Sequence, residues 1–266
     1  MTAVALPGAR VLLTGASGGI GGAIARRLAR EGCRLVLTGR RADVLETLAA
    51  EVEADWLAID LADRGELDRL VRNAGEIDVL IANAALPATG RLAGLALERV
   101  DGALEVTLRA PIALAHGLLP GMAARGRGHL VFIGSLSGKA ATAGSSVYNA
   151  SKFGLRGFAL ALRAELAPAG IGVSLVAPGF VSEAGMYADT QIKLPLGVST
   201  RTPEQVANAV VQAIVEDRGE TEVASLAMRL GAGLASVAPS LAARGSRALG
   251  GDRLAAEFER RQADRR

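Results

Sequence analysis

The stretch "TGASGGIGGAIARRLAREG", residues 14–32, joins a short apolar run to a helical pattern, and its reading decides the fold. Gly15, Gly19 and Gly21 stand where a chain leaving a strand must turn tightly into a helix. Glycine there lets the backbone approach a pyrophosphate, whose charge the helix N-terminus holds. Ser17 and Ile20 lie in the same turn and join the three glycines as candidate cofactor contacts. The spacing is G-x-x-x-G-x-G, which departs from the G-x-G-x-x-G dinucleotide fingerprint. Taken alone, the turn is also readable as a simple tight β-to-α connection; its place after the first strand favours the phosphate reading.

Outward from this junction, short runs rich in Val, Ile and Leu recur at 10–14, 34–38, 55–59, 77–82, 129–134, 171–177 and 221–224, with helical patterns between them. Strands alternating with helices imply βαβ units and a mostly parallel, about seven-stranded, doubly wound sheet covered on both faces. The 266 residues fit one α/β domain. Residues 1–224 are expected to form it, with a substrate loop at about 180–200. Residues 225–266 form a helical C-terminal extension of the same domain, beginning near the change of character at 233–251.

Half the residues are hydrophobic and only 3% aromatic, which suits close-packed helices on an aliphatic sheet. Cys33 is the only cysteine, so no internal disulfide framework exists. With a start that lacks a charged leader and cleavage pattern, this predicts a cytoplasmic protein. No uncharged, proline-free run approaches the about 20 residues of a transmembrane helix. The net charge of +3 matches that of residues 244–266, seven Arg against four acids. A basic tail without aromatic partners gives no reason to expect nucleic-acid binding.

The end of the second strand reads "LVLTGRR", residues 35–41. An acidic residue there would bind the ribose 2′-hydroxyl of NAD(H). Gly39 takes that place, and Arg40 follows with planar donors for a 2′-phosphate, so NADP(H) is expected rather than NAD(H). Arg41 is readable as the start of a surface helix.

A second decisive stretch is "YNASKFGLRGF", residues 148–158. Tyr148 and Lys152 are four apart, on one helix face with Cβ atoms about 6 Å apart. That suits an ammonium acting on a phenol, and equally a Tyr packed on a Lys stem. With the glycine turn, Asp60 after strand three, "IANAAL" (81–86), Ser135 after strand five and "VAPGFV" (176–181), the sequence resembles the short-chain dehydrogenase/reductase family over roughly residues 8–224.

The resemblance implies a Rossmann-type fold, hydride transfer at the nicotinamide, and a homodimer or homotetramer. It implies Ser135, Tyr148 and Lys152 as catalytic residues, with Thr107 at the position of a relay asparagine. Cofactor contacts then comprise the glycine turn, Arg40, Asp60, Leu61, Asn83, Tyr148, Lys152, Pro178, Gly179 and Val181. Chemically, reducing a carbonyl needs hydride on carbon and a proton on the developing alkoxide. Tyr148 would supply the proton, its pKa drawn below 10 by the cationic Lys152 and nicotinamide. Ser135 would hold the substrate oxygen.

Three positions depart from the family's pattern. Residues 82–85 read Ala-Asn-Ala-Ala, keeping Asn83 and losing a glycine. Thr107 replaces the asparagine that anchors a relay water, and a hydroxyl makes fewer hydrogen bonds than an amide. Glu183 stands where a threonine contacts the carboxamide; Ser182 or Glu183 itself remain the candidates to substitute.

His116 and His129 lie on different elements without neighbouring ligands and read as structural or surface residues, so no metal is expected. The helix at 225–237 aligns Leu226, Leu230, Leu234 and Val237, a stripe for core or subunit packing, a substrate lid or peripheral membrane contact. The functional expectation is an NADP(H)-dependent oxidoreductase interconverting a carbonyl and an alcohol. Its small-molecule substrate is mainly apolar, walled by Leu136, Phe180, Met186 and Tyr187. The alternative is a weak or inactive homologue acting as an NADP(H)-binding sensor or structural protein.

Overall fold

Side chains alternate across the first strand, β1 (Arg10–Thr14): Val11 and Leu13 enter one core layer and Leu12 the other. That division recurs along every central strand of the computed structural model, which describes residues 4–182 and 198–248. The remaining strands are β2 (Arg34–Gly39), β3 (Asp55–Ala58), β4 (Val79–Ala82), β5 (Gly128–Ile133), β6 (Ile171–Pro178) and β7 (Glu220–Val223). They form one parallel sheet in the order β3-β2-β1-β4-β5-β6-β7, at the seven runs expected from sequence.

Helices α1 (Gly19–Arg30), α2 (Ala42–Val52) and α7 (Pro203–Val215) cover one face through Ile24, Leu28, Leu45 and Val210. Helices α3 (Arg64–Asn73), α5 (Ala110–Arg125) and α6 (Ser146–Leu166) cover the other through Leu67, Leu114 and Leu155. Burial on both faces explains why β5 and β6 are apolar without alternation. Phe132 of β5 is fully buried and meets Phe158 of α6 edge to face, ring centroids 5.5 Å apart. Such a pair adds about 0.5–1.5 kcal/mol beyond area burial and pins α6 to the sheet.

Helix α4 (Leu97–Leu104) continues through a π-helical turn, Glu105–Arg109, into α5. After β3 the chain crosses back to place β4 on the far side of β1, so a crevice opens between the carboxyl ends of β1 and β4. Every candidate residue that the structure describes follows a strand end on this side or sits on α4–α6.

Two helices, α8 (Leu226–Val237) and α9 (Pro239–Ala248), follow β7. The leucine stripe of α8 is not core packing: Leu226 is 66% exposed and Val237 84%. The opposite side packs instead, with Met228 and Ala232 against Leu136 and Ala224. Small residues let α8 lie close to the body there. Among the described residues no helix is long and apolar enough to cross a membrane.

Candidate active site

The glycine turn is built by close approach. Gly15 has φ +67°, and a Cβ added to it would stand 2.8 Å from the Ala84 Cα. A Cβ on Gly21 would stand 2.2 Å from the Gly15 carbonyl oxygen. Only glycine fits at either position without moving backbone. Gly18 is the N-cap of α1, no side chain caps that end, and its first turn carries no acidic residue. The first-turn N–H groups of α1 are thus left for an anion. This cradle fits a pyrophosphate.

Asn83 locks the cradle to β4. Its Nδ2 donates to the carbonyls of Thr14 (3.0 Å) and Gly15 (3.1 Å). Thr14 Oγ1 accepts from the N–H groups of both Asn83 and Ala84 at 3.1 Å. Thr14 thereby belongs to the site, although sequence reasoning passed over it; its signal was a polar residue at the carboxyl end of an apolar strand.

At the end of β2, a Cβ on Gly39 would lie 2.8 Å from Ser17 Oγ, so the missing acid is matched by local crowding. Arg40 is exposed beside it. Arg41 is the N-cap residue of α2, and its Nη2 donates to the Ser17 carbonyl. It therefore does more than begin a helix: it brings a second guanidinium to the glycine turn. Asp60 Oδ1 accepts from Ala62 N–H at 3.0 Å, shaping the turn after β3. The Leu61 side chain is buried in the core.

The reactive groups converge beyond β5. Ser135 precedes a short 3₁₀ turn, Leu136–Gly138, and its Oγ accepts from Ser137 N–H at 3.1 Å. Tyr148 and Lys152 are buried on the first turns of α6. Lys152 Nζ donates to the Ile133 carbonyl at 2.8 Å and lies 5.7 Å from the Tyr148 ring centroid. Burial pushes the Tyr148 phenol up to about 12, opposed by its hydrogen bond with Ser135. The direction is opposite to that expected beside Lys152 and a nicotinamide, because desolvation of a phenolate is the largest cause here. Burial also lowers Lys152 to about 8, so the ammonium keeps its charge at neutral pH.

Thr107 lies buried in the π turn, and its Oγ1 accepts from Leu86 N–H at 3.0 Å while facing the Leu86 carbonyl at 3.4 Å. Its hydroxyl holds the loop after β4. Gly179 N–H donates to the Val223 carbonyl at 3.0 Å, and a Cβ there would lie 2.8 Å from Met228 Cε. Pro178 ends β6, and Val181 bridges to Arg201. Leu136 faces Ala224 and Ala232 in the core rather than an open wall. Glu183, Met186 and Tyr187 lie outside the described residues.

His129 belongs to the core of β5. Its Nε2 is 2.8 Å from Ser174 Oγ, which in turn donates to the Arg218 carbonyl at 2.6 Å. Burial lowers the imidazole to about 4, with Asp217 opposing and Arg163 reinforcing the shift.

The sequence model described as short chain dehydrogenase matches residues 9–194. Ketoacyl reductase HetN of Nostoc sp. (strain PCC 7120) is 42% identical over 218 residues, 79% of this chain and 76% of that one. Among solved structures, the actinorhodin polyketide ketoreductase with NADPH has a TM-score of 0.76 and 32% identity, covering 84% of this chain and 98% of the other. A short-chain dehydrogenase from Sphingobium yanoikuyae in complex with NADPH has a TM-score of 0.74 and 29% identity, with 80% and 87% covered.

Proposed function

The chain belongs to the short-chain dehydrogenase/reductase family and is a carbonyl/alcohol oxidoreductase; on that premise we propose that it reduces an apolar ketone with NADPH, using Tyr148 as the acid. The observation that carries this reading is the grouping of Ser135 with the buried Tyr148 and Lys152, together with a turn in which only glycine fits at positions 15 and 21. When bound, the cofactor supplies the hydride that adds to the carbonyl carbon.

The chain's own residues supply the rest. The first turn of α1 receives the pyrophosphate, and Arg40 with Arg41 meets the 2′-phosphate. Ser135 donates its hydroxyl proton to the substrate oxygen, polarising the carbonyl. Tyr148, raised to about 12, holds its proton at neutral pH and releases it only to a strong base such as a developing alkoxide. The phenolate left behind faces the Lys152 ammonium, which favours the charged form.

The names of HetN and the actinorhodin enzyme make a 3-oxoacyl thioester the first substrate to try. The test is NADPH consumption with such a thioester and a panel of apolar ketones, by the natural chain and by Tyr148→Phe. The phenylalanine variant is expected to lose turnover while its NADPH affinity holds within about twofold. Retention of most of kcat by that variant removes Tyr148 as the acid. NADPH binding without reduction of any carbonyl supports a sensor instead.

A further inference from the structure

Asn149 follows Tyr148 on α6, is 5% exposed, and points away from the reacting groups. Its amide is fully used by the loop that carries Ser135. Nδ2 donates to the Ser137 carbonyl at 2.7 Å and to the Ala140 carbonyl at 3.0 Å, and Oδ1 accepts from Thr142 N–H at 3.1 Å. A buried amide with both hydrogens and an oxygen lone pair satisfied is fixed in orientation.

The Ser137 residue is held from two sides. Its carbonyl receives the Asn149 amide, and its N–H donates to Ser135 Oγ at 3.1 Å. With one lone pair of Ser135 Oγ occupied by that N–H, the serine hydroxyl proton is directed away from its own loop. That leaves it for the Tyr148 oxygen, with which Ser135 hydrogen-bonds, or for a substrate carbonyl. The chain of contacts runs from Asn149 through Ser137 and Ser135 back to the phenol of the residue beside it.

The same loop is pressed onto α6 elsewhere. A Cβ on Gly138 would stand 2.7 Å from the Lys152 carbonyl oxygen. Lys139 Nζ reaches Glu222 at 2.6 Å and Glu220 at 3.1 Å, and Glu220 is gripped by Arg156 of α6 at 2.8 Å. These contacts fix the loop as a body; Asn149 is the side chain that holds the carbonyl of Ser137, the residue whose N–H touches Ser135.

We propose that Asn149 is a positioning residue that sets the hydroxyl of Ser135 relative to Tyr148 by clamping the carbonyl of Ser137. The assignment rests on the reduction chemistry proposed above. Losing the clamp leaves Ser135 in place chemically and frees its rotation and the loop's main chain.

The test compares the natural chain with Asn149→Ala, reading kcat and KM, NADPH affinity, and amide exchange over residues 137–142. A misplacement on the ångström scale is expected to lower kcat by about ten- to a hundredfold. NADPH affinity should stay within about twofold, and exchange at Ser137 and Thr142 should quicken. Should the alanine variant fail to fold, Asn149→Ser keeps one short donor and is expected to show the same pattern with a smaller loss. Full kcat in either folded variant overturns the assignment, whether or not the loop exchanges faster. Absence of turnover in the natural chain, with faster loop exchange in the variant, removes the proposed reduction and keeps the clamp. Unchanged exchange removes the clamp.

Discussion

Lys152 Nζ donates to the main-chain carbonyl of Ile133 at 2.8 Å, which ties the helix bearing Tyr148 to the end of β5. The ammonium is thus anchored through the sheet and stays within 5.7 Å of the phenol ring, and Coulomb attraction at that range is strong only while the lysine is charged.

Burial lowers Lys152 to about 8, so its charge is present below that value and lost as pH rises through it. The reductive kcat is expected to fall above about pH 8 in the natural chain. Lys152→Met should reduce at a low rate at every pH and show no such fall. A kcat profile that stays level through pH 9 in the natural chain contradicts the lysine's role.

The same shift bears on stability. Between about pH 8 and 10.5 the unfolded lysine binds the proton that the folded one has released, so stability rises with pH across that window. Tyr148 acts in the opposite sense between pH 10 and about 12. Lys152→Met, free of the desolvation cost, should be less dependent on pH from 8 to 10. Urea midpoints at the two ends of that range measure the difference.

Acid should act through His129. Its folded value of about 4 lies below the ordinary 6.5, so stability is complete above 6.5 and is lost as pH falls toward 4. The shift corresponds to about 3 kcal/mol. His129→Leu should flatten the denaturation midpoints between pH 7 and 4.5, while losing some stability at pH 7 through the lost hydrogen bond between the imidazole and Ser174 Oγ. Equal slopes in both proteins would place the acid sensitivity elsewhere.

At the end of β2, Arg40→Ala should weaken NADPH by about 1.5–3 kcal/mol, the scale of a charged hydrogen bond, and leave NADH unchanged. Gly39→Asp should move preference toward NADH. Its Cβ would press on Ser17 Oγ, so both affinities should fall somewhat. Titration of each cofactor by its own fluorescence separates the two effects, and an equal loss of both cofactors in Arg40→Ala would sink the 2′-phosphate assignment.

Thr107→Val removes the acceptor of the Leu86 N–H and leaves a partly buried donor unpaired, at about 1 kcal/mol. Thr107→Asn can restore an acceptor and a donor, and is expected to keep kcat. Melting temperature and kcat measured together decide it: a stable asparagine variant with much lower kcat would give the threonine hydroxyl a part of its own in proton transfer.

The sheet was legible because apolar runs of strand length, separated by helical patterns, leave few arrangements. The Gly15 and Gly21 positions were legible because glycine spacing records where backbone must touch backbone. The Lys152 to Ile133 bond was hidden, since a main-chain carbonyl carries no residue identity. The same holds for the bond from Arg41 to Ser17 and for the grip of Asn149 on Ser137. The burial that raises Tyr148 was hidden because charge can be read from sequence and depth cannot. The leucines of α8 look like core in a helical projection; only the small residues Ala232 and Ala224 show which side lies against the body.

Trp56 is the only tryptophan, and it stands on β3, the outermost strand, paired on one side with Leu37 and 38% exposed. Every residue of β3 is exposed, so this strand has the least to hold it when the molecule is heated. Indole emission will therefore report the peeling of a margin, while far-ultraviolet dichroism follows the helices. A melt watched by emission should run ahead of one watched by dichroism, and the temperature between them measures how far the rim opens before the centre does.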